Sequence, residues 1–198
     1  MNINLIYPQI PAPLDRHIPG TTTTACQILN TLTEQIKHQL QQSAKDTPSA
    51  SVRIITLPIE QLIRRLTRQA RTQTPSANLN IILQLGASAQ DGHWHTANGF
   101  TVTSQPGSPQ SDHLSDLLIL QAVKILGRSA ISNQVAPINQ REHSTARLLD
   151  ISASPAVLTT CLYIDNHKNA VLLRQSGGIS MLASVHAQAI RQYLKLSQ

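Results

Sequence analysis

Two histidines stand two residues apart in the run Gly92-His93-Trp94-His95, inside a segment, QDGHWHTANGF, that carries turn formers and no apolar period. Residues two apart share one side of an extended chain, so His93 and His95 are the nearest-spaced candidate metal ligands. His17 and His113 lie in or beside other loops. Three imidazoles converging on one point would make a zinc site. The competing reading is a set of solvated loop histidines, and the carboxylates beside them in sequence are Asp91 and Asp112. Trp94, the single tryptophan, offers a face to a sugar or a partner protein, or else pins its own loop.

Other chemistry finds less support. Ser88 and Ser111 lie near histidines, but no Gly-x-Ser-x-Gly elbow of a serine hydrolase is present. Cys26 and Cys161 form no spacing motif and fall in apolar-periodic stretches, where thiols are usually buried. RQSGGIS (174–180) puts two glycines ahead of a helical pattern, which reads as a turn or as an anion site at a helix start.

The elements that must position these residues follow from periodicity. Apolar, β-branched runs predict strands over 3–7, 51–57, 79–86 and 156–163, with a shorter one near 100–103. Ile28, Leu29, Leu32, Ile36 and Leu40 share one face of a helix capped by the preceding threonines. Further helices are predicted over 58–72, from a cap at Ser111 or Asp112 to about 126, over 166–175 and over 179–196. Loops are expected at 45–50, 74–78 and 127–147. Strands alternating with helices argue for an α/β fold: one domain over 1–198, with a mostly parallel sheet flanked by helices. Aromatic residues make up only 3% of the chain, so the core must be aliphatic.

Sixteen Lys+Arg against ten Asp+Glu give a formal charge of +6. That favours an anionic partner, yet the basic residues cluster only in RRLTRQAR (64–71), and aromatics for base stacking are scarce. A nucleic-acid-binding module is therefore a minor alternative. No run approaches the length of a membrane span. MNINLIYPQI lacks the charged start and cleavage site of a signal peptide. The chain as it stands is expected in the cytoplasm, or in the periplasm or envelope if it is cut from a longer exported protein.

Three segments, in order, resemble the zinc-dependent N-acetylmuramoyl-L-alanine amidases, which cleave between muramic acid and the stem peptide of bacterial cell wall. Pro155-Ala156-Val157-Leu158-Thr159-Thr160-Cys161-Leu162-Tyr163-Ile164-Asp165-Asn166 fits, without a gap, a last strand of the form P-A-V-L-V-E-x-G-F-(I/L)-S-N. NIILQLGASA (80–89) is similar to D-L-F-V-S-I-H-A-N-A, and NLIYPQIPA (4–12) to I-D-P-G-H-G-G. The resemblance implies an amidase-like fold over nearly the whole chain. It also implies where zinc would be held: at Ile10, at Thr24 or a neighbour, and at Gly86, with the catalytic Glu position at Thr160.

None of these four side chains can do that work. Zinc takes imidazole, thiolate or carboxylate ligands, and a Thr hydroxyl stays protonated where a Glu base would not. The expectation is a pseudoenzyme without zinc or other cofactor. It would bind another protein or a peptidoglycan fragment, with His17, His93, Trp94 and His95 as candidate contact residues. The alternative is an active zinc amidase that has relocated its ligands to these histidines.

Overall fold

The structure, a computed structural model, describes residues 2–11, 15–42, 51–73, 77–89, 91–131 and 145–196. The loop expected at 45–50, and most of those expected at 74–78 and 127–147, fall outside the described residues.

Five strands form one sheet: β1 (Asn2–Gln9), β2 (Ser51–Pro58), β3 (Leu79–Gly86), β4 (Phe100–Ser104) and β5 (Ala156–Tyr163), in the spatial order β2-β1-β3-β5-β4. The first four in that order run parallel, and β4 lies antiparallel on β5. All eight residues of β5 are buried, as expected of an interior strand covered on both faces.

Alternation along the strands splits the core in two. Ile3, Leu5, Ile81, Leu83 and Val157 face α1 (Ala25–Gln42), α3 (Pro109–Leu126) and α6 (Ser176–Leu196), in the larger cluster. Ile6, Ile82 and Leu158 face α2 (Ile59–Thr72) and the short α4 (Arg147–Asp150), in the smaller one. The predicted inward face of α1 is buried throughout. Of the residues predicted inward on α2, Leu62 and Leu66 are buried, and Ile59 and Ile63 pack partly exposed against the smaller cluster.

Two helix starts differ from expectation. Ser108, not Ser111 or Asp112, caps α3, with Pro109 at the first helical position where a missing N–H costs nothing. Ser111 is instead fully buried, and its Oγ accepts the Ala156 N–H at 2.9 Å, tying α3 to the start of β5. The closing helix begins at Ser176, so the Gly177-Gly178 pair lies within its first turn. A side chain at Gly178 would collide with the Leu172 backbone in α5 (His167–Arg174), so Gly178 is close-packed at a helix start, and the pair is not the turn considered above.

β1 leads through α1 to β2 on one side, and β2 returns through α2 past β1 to β3 on the other. The winding reverses between β1 and β3. In open α/β sheets ligands bind at the carboxyl ends of strands beside such a reversal.

Candidate functional site

Of the four positions assigned by the resemblance, Ile10 and Gly86 lie at the carboxyl ends of β1 and β3, Thr24 at the start of α1 and Thr160 within β5, and each is engaged in local structure. Ile10, just past β1, is half-buried, and its carbonyl accepts the Cys26 thiol at 3.9 Å. Thr24 caps α1. Its Oγ1 accepts the Gln27 N–H at 3.2 Å and Gln27 Oε1 accepts the Thr24 N–H at 2.9 Å, a reciprocal capping box. Thr160 is buried, and its hydroxyl oxygen accepts Nε2 of Gln84 at 3.0 Å.

Gly86 is covered by Tyr163. A Cβ added at Gly86 would lie 2.7 Å from the Tyr163 ring carbons. The ring reaches this place because β5 carries one extra residue between Thr160 and Tyr163 relative to β3. Within that bulge Leu162 has φ +73°, a left-handed conformation seldom adopted by a branched side chain.

One step outward, the loops that follow the same three strands enclose a cavity of about 330 Å³. Asp15, Arg16 and His17 come from the loop after β1, Ala87, Ala89 and His93 from the loop after β3, and Asp165 from the turn after β5. Asp165 is only 4% exposed. Its Oδ2 accepts the N–H groups of Ser88 at 2.5 Å and Ala89 at 3.3 Å, and its carbonyl accepts the His95 N–H at 2.6 Å. Its Oδ1 is buried and has no hydrogen-bond partner among the described residues. Asp15 is also buried, with Oδ1 accepting the Cys26 N–H in the first turn of α1 at 3.2 Å.

The candidate histidines separate. His17 and His93 line the cavity. His95 turns away, its Nε2 2.9 Å from Oδ1 of Asp91. That hydrogen bond raises the His95 pKa above its usual value and lowers that of Asp91. His113 sits exposed on α3, its ring 6.1 Å from that of Tyr193, and does not line the cavity. Trp94 is 45% exposed and stands edge-on to His167, with ring centroids 5.2 Å apart. Among the described residues, no group of three or more His, Cys, Asp or Glu is placed to hold a metal ion.

Sequence reasoning missed Asp15 and Asp165. The available signal for Asp165 was its place one residue before Asn166, which caps α5 by accepting the Asn169 N–H at 3.2 Å. A second omission is His186, fully buried between α6 and β5. Its Nδ1 donates to the Leu182 carbonyl at 2.8 Å, and its Nε2 faces Thr159 Oγ1 at 3.1 Å. Burial pushes its pKa down to about 4, so it packs as a neutral ring. Burial also raises the Cys161 thiol to about 12 and moves the partly buried Cys26 upward, leaving neither as a ready thiolate. On α2, Arg64, Arg65 and Arg68 line an open patch with Gln69. No helix among the described residues is long and apolar enough to cross a membrane.

No family model matches the chain, and no curated protein matches it in sequence. Solved structures do match in three dimensions. The CwlD amidase of Clostridioides difficile, solved in complex with the GerS lipoprotein, superposes with a TM-score of 0.71 at 15% identity over 98% of each chain. The catalytic domain of CwlV, an N-acetylmuramoyl-L-alanine amidase of Bacillus (Paenibacillus) polymyxa var. colistinus, gives 0.69 at 16%, covering 98% of this chain and 99% of that one. The amidase AmiC2 of Nostoc punctiforme gives 0.67 at 12%, covering 98% and 97%. At such identities the likeness is one of architecture: this chain has the α/β fold of N-acetylmuramoyl-L-alanine amidase catalytic domains.

Proposed function

We propose that this chain is an amidase-fold binding domain with no amidase activity of its own, acting at the bacterial cell envelope on a peptidoglycan fragment or a protein partner. The observation that carries the proposal is the Tyr163 ring packed over Gly86. As the residues stand, that ring fills the space beside Gly86, and position 86 supplies no side chain to hold a metal. Ile10, Thr24 and Thr160 support the same reading, since a hydrocarbon and two engaged hydroxyls do not fit a zinc ion. Without the metal, its bound water is not brought from a pKa of about 15.7 toward about 7, and no carboxylate stands at position 160 to act as base. The chain's remaining capacity lies in a shaped cavity one step outward, whose walls hold charge and hydrogen-bonding groups. The similarity to cell-wall amidases supports the envelope assignment.

The alternative is an active amidase with relocated ligands. It draws on one observation: His17 and His93 line the same cavity as Asp15 and Asp165. A nucleic-acid role would rest on the arginines of α2 alone. Purified protein, with and without added zinc, incubated with peptidoglycan and with a muramoyl-peptide, decides between the first two. No stem peptide should be released above a metal-free control. Zinc-dependent release, lost in His17→Ala or His93→Ala, would establish the relocated-metal enzyme instead.

A further inference from the structure

We propose that the α2 face of the domain docks on an anionic phospholipid surface, with headgroup phosphates received by Arg64, Arg65 and Arg68. The inference goes beyond the cavity described above and rests on the binding reading only for its placement at the envelope.

Charge is spread unevenly between the two faces of the sheet. α2 carries four arginines, Arg64, Arg65, Arg68 and Arg71, against Glu60 alone, which is half of the chain's formal excess of +6. On the opposite face α1, α3 and α6 together carry four basic residues against three acidic ones. Two further exposed arginines stand on the α2 side. Arg53 alternates onto the same face of β2 as Ile55 and Leu57. Arg147 lies on α4, which packs beside α2 and also bears the exposed Asp150.

The arginines of α2 are not committed within the fold. Leu62 and Leu66 bury the inner side of the helix. At about 3.6 residues per turn, Arg64, Arg68 and Arg71 stand opposite them in a row about 10 Å long. These three are exposed, and Arg65 is half-buried. Among the described residues the one ion pair is His95 with Asp91, so no carboxylate there is paired with them, not even Glu60, four residues before Arg64. Arg68 is three or four residues from each of the other three, a spacing at which like charges weaken a helix. An anion among them relieves that repulsion. Arg64, Arg65 and Arg68, with Gln69, line an open depression of about 470 Å³.

The class of anion follows from the surroundings. A protein interface is built on an apolar centre, and the exposed large hydrophobic side chains, Trp94, Leu120, Val171 and Met181, all lie outside α2, α4 and β2. Single-stranded nucleic acid is held by stacking rings, and residues 51–73 include no aromatic one. A helix that reads duplex DNA puts its N-terminal residues on the bases, and α2 begins with Ile59 and Glu60. A lipid surface asks only for phosphates within reach of one face, and a guanidinium meets phosphate with two parallel donors. A row of arginines on the outermost side of a helix reaches such a plane along its whole length. With no large apolar side chain to insert, the attachment is electrostatic and reversible.

The test is co-sedimentation of the purified protein with vesicles of phosphatidylcholine alone and with phosphatidylglycerol added, beside retention on a random duplex DNA and on polyglutamate. Phosphatidylglycerol should raise vesicle affinity by at least about tenfold, and salt at about 1 M should abolish the gain. Arg64→Gln and Arg68→Gln should each lower affinity by about fivefold, and Glu60→Gln should raise it. Lys124→Gln, exposed on the far side of the sheet, removes the same charge and should leave binding unaltered. Equal binding to neutral vesicles, no loss in the two arginine variants, an equal loss in Lys124→Gln, or arginine-dependent retention on the duplex or on polyglutamate without vesicle binding would overturn the inference. Stem-peptide release would overturn the binding-only reading and leave a lipid result standing, whereas absent vesicle binding without such release removes this inference alone.

Discussion

Two neighbouring regions at the carboxyl edge of one sheet behave in opposite ways. In each of three chain passages the inner residue is engaged in local structure and a residue further along lines the cavity. After β1, Ile10 and Thr24 are tied to the start of α1, while His17 lines the cavity. After β3, Gly86 lies beneath Tyr163, while His93 is exposed on the cavity wall. On β5, Thr160 holds Gln84, while Asp165 keeps an unbonded oxygen. Engaged and cavity-lining residues can thus stand a few positions apart on the same strand ends. Backbone pairing fixes the strand ends, whereas the loops beyond them can change without disturbing the sheet.

The comparison can be broken most forcefully by refilling the closed region. Gly86→His should cost about 3 kcal/mol or more through overpacking against Tyr163, measured by urea denaturation, and should bring no zinc with it. A stable, zinc-binding Gly86→His would show that the region is merely unoccupied by ligands and not closed.

Acid probes the core beneath both regions. His186 is held neutral by the fold with a pKa near 4, and protonates near its ordinary value of about 6.5 when unfolded. The unfolded state therefore binds more protons in that window. Stability should be complete above about pH 6.5 and fall by an amount on the order of 3 kcal/mol as pH drops toward 4. The unfolding free energy of His186→Gln should show a flatter slope over the same range. An unchanged slope would mean that other groups govern acid sensitivity.

Thr24→Ala tests whether that position now serves the helix. Loss of the capping box should cost about 1 kcal/mol, with Thr24→Ser recovering most of it. In the open region, His17→Ala and His93→Ala should each change stability by no more than about 0.5 kcal/mol, as is usual for exposed side chains. A larger loss in either would mean that the cavity wall is part of the packed structure and that the two regions differ less than described. The smallest effect is local. In an NMR titration His95 should protonate at a higher pH than an ordinary histidine, and Asp91→Asn should remove most of that displacement, Asp165 contributing the smaller part.

Much of this protein was legible in its sequence because the signals are local. The apolar run at 156–163 became the fully buried β5, and the spacing of Ile28, Leu32 and Ile36 became the buried face of α1. Burial of one face requires a period, and a period can be read without knowing what packs against it. The start of α3 was misplaced, because Ser108 and Ser111 are equally good caps by composition, and tertiary packing drew Ser111 to the Ala156 N–H.

Tertiary structure alone decided the rest. Asp165 and the Ser88 N–H it holds are 77 positions apart, and His17 and Asp165 meet only because β1, β3 and β5 lie side by side in that order. No period links loop residues of different strands, so sequence could nominate His17, His93 and His95 together but could not separate them. Sheet order and a one-residue bulge made the separation, placing Tyr163 over Gly86, leaving His17 and His93 on the cavity, and turning His95 to Asp91. The unpartnered oxygen of Asp165 belongs to the same class of fact: a hydrogen bond that is not made depends on every neighbour, and the neighbours are chosen by the fold.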